Sequence, residues 1–343
     1  MIYAVAALMG LVTILLGRYA YQTGAVLRVL DYPDPIGGRK RHERVTPLIG
    51  GIATLGPTLA MGAIWLFSAP AMANTHYAMI ATAVAATALL LLLGYLDDRF
   101  QLAPTGRLFA TMLIFGVAAA AIPGFRLEFL HFSFLPHAYF IDAWGGVFTV
   151  ICLAGLSNAV NMADGKNGLV IGLSVIWLIL LALHLPPAWT PILITALICL
   201  LLAFTFNIRG IFFLGDAGSY GWAGLVGLLA IAAYNSNFFA LAADQVALWF
   251  LIPVLDCLRL MSARIISGRS PFSGDRDHLH HYLAKTMAWK YGLSVYLALV
   301  GAPALLAHFF PALTLYFALA ASAIYAVIVA VTAKARVPSN LTA

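Results

Sequence analysis

Long apolar stretches alternate with short polar ones along the whole chain, and this alternation predicts the architecture. Apolar runs long enough to cross about 30 Å of hydrocarbon fall at about 2–20, 48–68, 77–95, 107–122, 143–161, 168–185, 188–206, 217–234, 246–265, 292–309 and 312–333. They predict eleven transmembrane helices, the fourth and sixth somewhat short, in an all-α, polytopic integral membrane protein that forms a single domain over residues 1–343. Residues 125–142 partly alternate and contain Pro136, which reads as an outer hairpin or a short amphipathic excursion. The first run lacks a basic leading segment and a good cleavage site, so it reads as a membrane helix and not as a signal peptide. No internal repeat is visible, which argues against the duplicated halves common in transporters.

Composition agrees with the pattern. The 343 residues are 63% hydrophobic and 9% charged, whereas a soluble domain carries about 25% charged residues. With the N-terminus outside and eleven crossings, 18 of the 19 Lys and Arg residues, all but Arg126, fall inside or at inner helix ends. The positive-inside rule therefore predicts an outer N-terminus and a cytoplasmic C-terminus. The net charge of +6 is then a property of membrane topology. Nucleic acid is excluded as a partner, because the basic loops lack the interleaved aromatics that stack on bases. Cys152, Cys199 and Cys257 lie in apolar runs without a paired framework and read as small buried apolar residues.

The acids are less easily explained. Ten of the thirteen fall on the same side as the basic residues, although acids contribute little to orientation. A shared site for a polyanion and a metal would gather them there. Asp97 and Asp98 close the third run, where two neighbouring carboxylates repel unless a cation lies between them; a solvated helix end is the plainer alternative. Asn158, Asn161 and Asp164 recur every third residue, so they share one helical face, and Gly165, Asn167 and Gly168 follow. This cluster suits a nucleotide edge, phosphate oxygens or the water shell of a metal, or else hydrogen bonding between helices. Asp216 stands between Gly215 and Gly218 at a helix start, as a hard oxygen ligand for Mg²⁺ or as a simple N-cap.

Two basic stretches complete the inner face. Arg39, Lys40, Arg41 and His42 follow two glycines and suit a phosphate head group at the membrane surface. Arg276, Asp277, His278, His280 and His281 lie in the last inner loop. No second Cys or His cluster exists inside to complete a zinc site, so phosphate or sugar hydroxyls are the better ligands. Asp256 and Arg259 are spaced for an ion pair within one helix, and His184 and His308 look incidental at outer helix ends.

In this order, the stretches Arg39 to Gly51, Leu96 to Phe100, Asn158 to Gly168, Gly215 to Ser219 and Ser270 to His281 resemble the motifs of the polyprenyl-phosphate N-acetylhexosamine-1-phosphate transferase family. The likeness covers about residues 20–290. His278-Leu279-His280-His281 is closest to the bacterial branch serving O-antigen, enterobacterial common antigen or teichoic-acid linkage; the peptidoglycan branch usually has three consecutive histidines. The resemblance implies transfer of N-acetylhexosamine 1-phosphate, with N-acetylglucosamine the default sugar, from a UDP-sugar to undecaprenyl phosphate in the bacterial inner membrane. The products would be UMP and the undecaprenyl-pyrophosphoryl sugar.

Residue roles carry over by position. Asp97 and Asp98 resemble the essential catalytic pair, and Asp216 resembles the ligand of Mg²⁺, with Mn²⁺ as a substitute. Asn158, Asn161, Asp164, Asn167 and Asn207 would line the nucleotide and pyrophosphate. Arg276, His278, His280 and His281 would contact the sugar phosphate, and Lys40, Arg41 and His42 the lipid phosphate. Two positions depart from the pattern: Asn167 stands where bacterial relatives usually have Asp, and Gln101 where they often have Asp or Lys. Rival readings are an ion-coupled transporter, which would hold its acids at mid-span, and a non-catalytic lipid-binding member. A homodimer through the last two helices is a further expectation.

Overall fold

The computed structural model describes residues 2–34, 43–68, 74–272 and 277–334. All eleven apolar runs are helical. The helices are α1 (Ile2–Arg18), α2 (Ala20–Leu27), α3 (Gly50–Ser68), α4 (Asn74–Phe100), α5 (Pro104–Ala121), α6 (Gly145–Ala163), α7 (Leu169–Ala182), α8 (Thr190–Asn207), α9 (Gly215–Ser236), α10 (Ala243–Ile266), α11 (Leu279–Thr286), α12 (Trp289–Phe309) and α13 (Thr314–Lys334). Among the described residues nine helical stretches are long and apolar enough to cross a membrane, and the protein is a multi-pass membrane protein.

Two of the eleven runs differ from a plain crossing. The first is broken: α1 and α2 meet at an angle of 81°, and α2 ends at Arg28, which takes the left-handed conformation. The sixth, α7, has 14 residues, about 21 Å at 1.5 Å per residue, shorter than the hydrocarbon layer. It is shielded by neighbours for most of its length, and Trp177 donates from its ring nitrogen to the carbonyl of Trp249 on α10 at 2.8 Å.

α9 is the axis of the bundle. Every residue of its apolar window is buried, and α4, α6, α3 and α7 pack around it. Glycines on its neighbours allow this: a Cβ on Gly51 of α3 would lie 2.2 Å from the backbone nitrogen of Gly218, and one on Gly94 of α4 would lie 2.2 Å from the carbonyl oxygen of Asp216.

Two short antiparallel ribbons mark opposite ends of α9. β1 (Leu30–Asp31) pairs with β2 (Thr46–Pro47), and the chain leaving β2 is tied to the loop before α9. Phe213 N donates to Pro47 O at 3.0 Å, Gly50 N to Phe213 O at 3.0 Å and Gly51 N to Leu214 O at 2.8 Å. At the other end β3 (Phe129–His131) pairs with β4 (Ala138–Phe140) in the register Phe129↔Phe140, which is the hairpin expected over 125–142. Its turn is anchored on α10 by Asp244, which accepts from Ser133 N at 2.8 Å and Ser133 Oγ at 2.5 Å.

His184 and His308 are not incidental. Nδ1 of His308 lies 3.3 Å from Nε2 of His184, joining the segment after α7 to the end of α12. Burial, and then His308, push His184 down to about 4. An unfolded chain takes up this proton near 6.5 and the folded chain does not, so the pair costs stability as pH falls from about 6.5 to about 4. His184→Asn is therefore expected to flatten the acid-side fall in melting temperature in detergent; parallel falls in variant and wild type would remove His184 as its source.

Candidate active site

The site forms where the end of α4 meets the beginning of α9. α4 runs past its apolar stretch to Phe100, so Asp97 and Asp98 occupy its last turn and not the loop that follows. Gln101, with φ +53°, ends the helix. This places the two carboxylates in different surroundings. Asp98 reaches the N-terminus of α9, where Oδ1 accepts from Asp216 N at 2.9 Å and Oδ2 from Ala217 N at 3.0 Å. A carboxylate there satisfies orphan N–H groups and the positive end of the helix dipole. The cap of α9 is thus supplied by a different helix, and not by Asp216 itself. Gly215, with φ +75°, makes room: a Cβ there would lie 2.7 Å from Asp98 Oδ2.

Asp97 is 4% exposed. Its Oδ1 accepts from Leu102 N at 2.8 Å, and its Oδ2 is paired with Nη1 of Arg107 on α5. The same Arg107 nitrogen lies 3.5 Å from Oδ2 of Asp216, so one cation bridges two carboxylates. On its other side Asp216 accepts from Asn161 Nδ2 at 2.7 Å, and Asn161 also reaches Ser219 Oγ at 2.9 Å. Arg107, Asn158, Tyr220 and Phe272 line a small cavity beside this cluster.

The remaining expected residues divide into two groups. Asp164 caps α6 instead of continuing its face; burial, and then the Asp98 charge, push its carboxyl up to about 7. Asn207 is buried and its amide is used internally, accepting from Gly168 N at 2.6 Å and donating to Phe212 O at 2.9 Å. It joins the loop after α6 to the loop before α9 and acts through backbone position. Asn167 accepts from the Trp289 ring nitrogen at 2.7 Å through its backbone carbonyl, and its side-chain amide faces Gly210. Asn158 turns toward α10 and the cavity, away from Asp216.

The histidine loop is held by Asp256. Beyond the expected pair with Arg259 (2.8 Å), this carboxylate accepts from Tyr325 OH on α13 at 2.8 Å and Leu279 N at 3.2 Å, and lies 3.2 Å from His278 Nδ1. His278 and His280 stack with centroids 5.2 Å apart and an interplanar angle of 11°. His280 is 1% exposed, and burial holds its imidazole well below the usual range and therefore neutral. A Cβ on Gly165 would lie 2.2 Å from its Nε2, so His280 presses on the loop that carries Asp164. Lys40, Arg41, His42 and Arg276 lie outside the described residues. Cys152 is exposed, against expectation, whereas Cys199 and Cys257 are buried.

A model of glycosyl transferase family 4 matches residues 79–234, the stretch holding Asp97, Asp98, Arg107, Asn161 and Asp216. The chain is 32% identical over 261 residues to the undecaprenyl-phosphate alpha-N-acetylglucosaminyl 1-phosphate transferase of Yersinia pestis, covering 72% of this chain and 68% of that protein. The chain belongs to glycosyl transferase family 4. It is also 28% identical to the probable undecaprenyl-phosphate N-acetylglucosaminyl 1-phosphate transferase of Bacillus subtilis, over 80% of this chain and 73% of that protein. The corresponding transferase of Escherichia coli K12 is 27% identical over 78% and 72%.

The acid cluster of this family 4 member fits a hard divalent cation. Among the described residues no three Asp, Glu, His or Cys side chains converge into a ready-made cage. Mg²⁺ at a phosphoryl-transfer site uses one or two carboxylates and completes its shell with water and substrate phosphates. Asp216 and Asp97, already bridged by a cation in Arg107, offer that donor set.

The sequence marks Arg107 only as an inner charge. A lone arginine opening the apolar run 107–122 is the available signal. Arg107→Ala is expected to lower transfer by about 10²-fold, because Asp97 loses its partner and a phosphate loses a cation. Arg107→Lys keeps the charge without the planar fork and should recover part of the rate. Equal rates for all three would remove Arg107 from the site.

Proposed function

We propose that this chain transfers N-acetylglucosamine 1-phosphate from UDP-N-acetylglucosamine to undecaprenyl phosphate. The products are UMP and the undecaprenyl-pyrophosphoryl sugar, and the reaction is the first membrane step of a cell-surface polysaccharide. The observation that carries this reading is the meeting of Asp97, Asp98, Asn161, Asp216 and Arg107 at one end of a membrane bundle, within the stretch matched by the family. The weight of basic residues at that end supports a cytoplasmic site, where a nucleotide sugar and a lipid phosphate can meet.

An oxygen of the lipid phosphate attacks the β-phosphorus of the UDP-sugar, and the bond from that phosphorus to the UMP oxygen breaks. One phosphoanhydride replaces another, so the reaction is close to thermoneutral and runs both ways. A phosphate monoester is largely dianionic near neutral pH, with its second pKa near about 6. It therefore needs no proton removed before attack. What the site must supply is position and charge neutralisation. Arg107 neutralises part of the crowded negative charge. Asn161 orients Asp216 from the side, and Asp98 fixes the backbone beneath it. His280 and Asn207 hold the surrounding loops. When bound, Mg²⁺ supplies charge neutralisation at the phosphate oxygens, and Asp216 with Asp97 would hold it; Mn²⁺ shares the preference for oxygen ligands. Lys40, Arg41 and His42 would contact the lipid phosphate, and Arg276 with His278 and His281 the sugar phosphate, as the family motifs imply.

The test is isotope exchange. Purified protein in detergent, given UDP-N-acetylglucosamine, undecaprenyl phosphate, labelled UMP and Mg²⁺, should return label in the UDP-sugar only when lipid and Mg²⁺ are both present. Exchange with another UDP-N-acetyl sugar instead would correct the sugar, and no exchange with any donor would overturn the reaction.

A further inference from the structure

We infer that α6 and α10 build a site for one soft monovalent cation, Cu(I) or its redox-inert counterpart Ag(I), beside the catalytic cavity. Four side chains form it, as two pairs spaced four residues apart on facing helices: Asn158 and Met162 on α6, Cys257 and Met261 on α10. That spacing stacks each pair on one helical face. Cys257 Sγ lies 3.4 Å from Met162 Sδ and 3.7 Å from Met261 Sδ. The Nδ2 of Asn158 lies 3.5, 3.6 and 3.9 Å from the sulfurs of Met162, Cys257 and Met261. Cys257 Sγ therefore touches both thioethers, and the amide N–H hydrogens of Asn158, which carry partial positive charge, face all three sulfurs.

Sulfur donors select the ion. Thiolate and thioether ligands favour Cu(I) and related soft cations over Mg²⁺ or Ca²⁺. Charge selects further: one thiolate and two neutral thioethers balance a single positive charge. A divalent ion would leave a net charge buried between apolar helices, which is costly. Binding releases the Cys257 thiol proton to solvent. Metal–sulfur bonds of about 2.3 Å set three sulfurs about 4 Å apart. The sulfur pairs therefore open by a few tenths of an ångström, within the reach of flexible methionine side chains.

The position gives the site a consequence. Asn158 also lines the cavity next to Arg107, so the ion enters from there and its binding displaces the Asn158 amide. Cys257 adjoins Asp256, which holds His278. An occupied site is expected to slow transfer by shifting both. The binding itself does not depend on the transfer reaction and is read directly.

The full chain in detergent, with Cys152→Ser and Cys199→Ala to remove the other thiols, is titrated anaerobically with Ag(I), and with Cu(I) against a chromophoric chelator. One ion per chain is expected, with three sulfur neighbours in X-ray absorption. Met162→Leu with Met261→Leu preserves volume and leaves Cys257 in place. This pair should weaken binding by at least about tenfold while the metal-free melting temperature and exchange rate stay near those of the parent. Cys257→Ser, which removes the balancing charge, should abolish binding. Affinity unchanged by the double leucine variant, or Zn(II) taken up as tightly as Ag(I), overturns the proposal.

Discussion

Asp216→Asn is expected to lower transfer by about 10²–10³-fold while leaving the bundle folded. The side chain is 33% exposed, so removing its charge leaves no deeply buried group unpaired. The asparagine oxygen can still accept from Asn161, and the contact to Arg107 is already long at 3.5 Å. The cap of α9 also survives, because Asp98 binds the backbone N–H of residue 216 and not its side chain. What disappears is a negative charge at the point where Mg²⁺ and the donor pyrophosphate would meet. The exchange assay separates the outcomes when run against Mg²⁺ concentration. A rate that stays low with a raised Mg²⁺ requirement fits a lost metal ligand. A normal rate at ordinary Mg²⁺ would exclude Asp216 from the site.

Gly94→Ala is expected to abolish activity without touching any polar side chain. The new Cβ would lie 2.2 Å from Asp216 O, 2.4 Å from Asp216 C and 2.5 Å from Ala217 Cα. All three are backbone atoms, which cannot rotate away. Ordinary contact begins near 3.4 Å, so α4 and α9 must separate by about an ångström. Overpacking of this kind typically costs about 1–3 kcal/mol, enough to lower the melting temperature in detergent measurably. The functional loss is larger, because separation breaks the two bonds from Asp98 to the α9 N-terminus and misplaces Asp216. Misplacement by about 1 Å can itself cost 10²-fold. Gly56→Ala is the control, since nothing lies within 4 Å of the added carbon, and it should behave as wild type. If both variants keep full activity, the α4–α9 contact does not set the site.

Much of this was legible in the sequence, because membrane helices are written in local terms. An apolar run long enough to cross predicts a helix whatever its neighbours, and all eleven runs became helices. Costly acids at helix ends point in the same way to the place where Asp97, Asp98 and Asp216 meet. What stayed hidden depends on which helix lies beside which. Asp98 and Ala217 are 119 residues apart in sequence, and nothing near either predicts that one caps the other. In the sequence Arg107 is one more inner charge; only the packing of α5 puts Asp97 and Asp216 within its reach. Local spacing shows Asp256 only as half of an intrahelical pair, because its partners Tyr325 and His278 come from other elements. The break between α1 and α2 has no proline to signal it, and α7 appeared longer because adjoining loop residues are also apolar.

The burial of α9 sets an order of assembly as the chain is made. It is the least hydropathic of the nine spanning stretches and the one wholly enclosed by protein, so lipid alone is a poor solvent for it. α3, α4, α6 and α7, which leave the ribosome earlier, must already form a receptive groove, and α10 closes against α6 afterwards. The cluster around Asp216 therefore cannot form until α9 has been made, and a chain interrupted before α9 carries Asp98 with no helix N-terminus to cap.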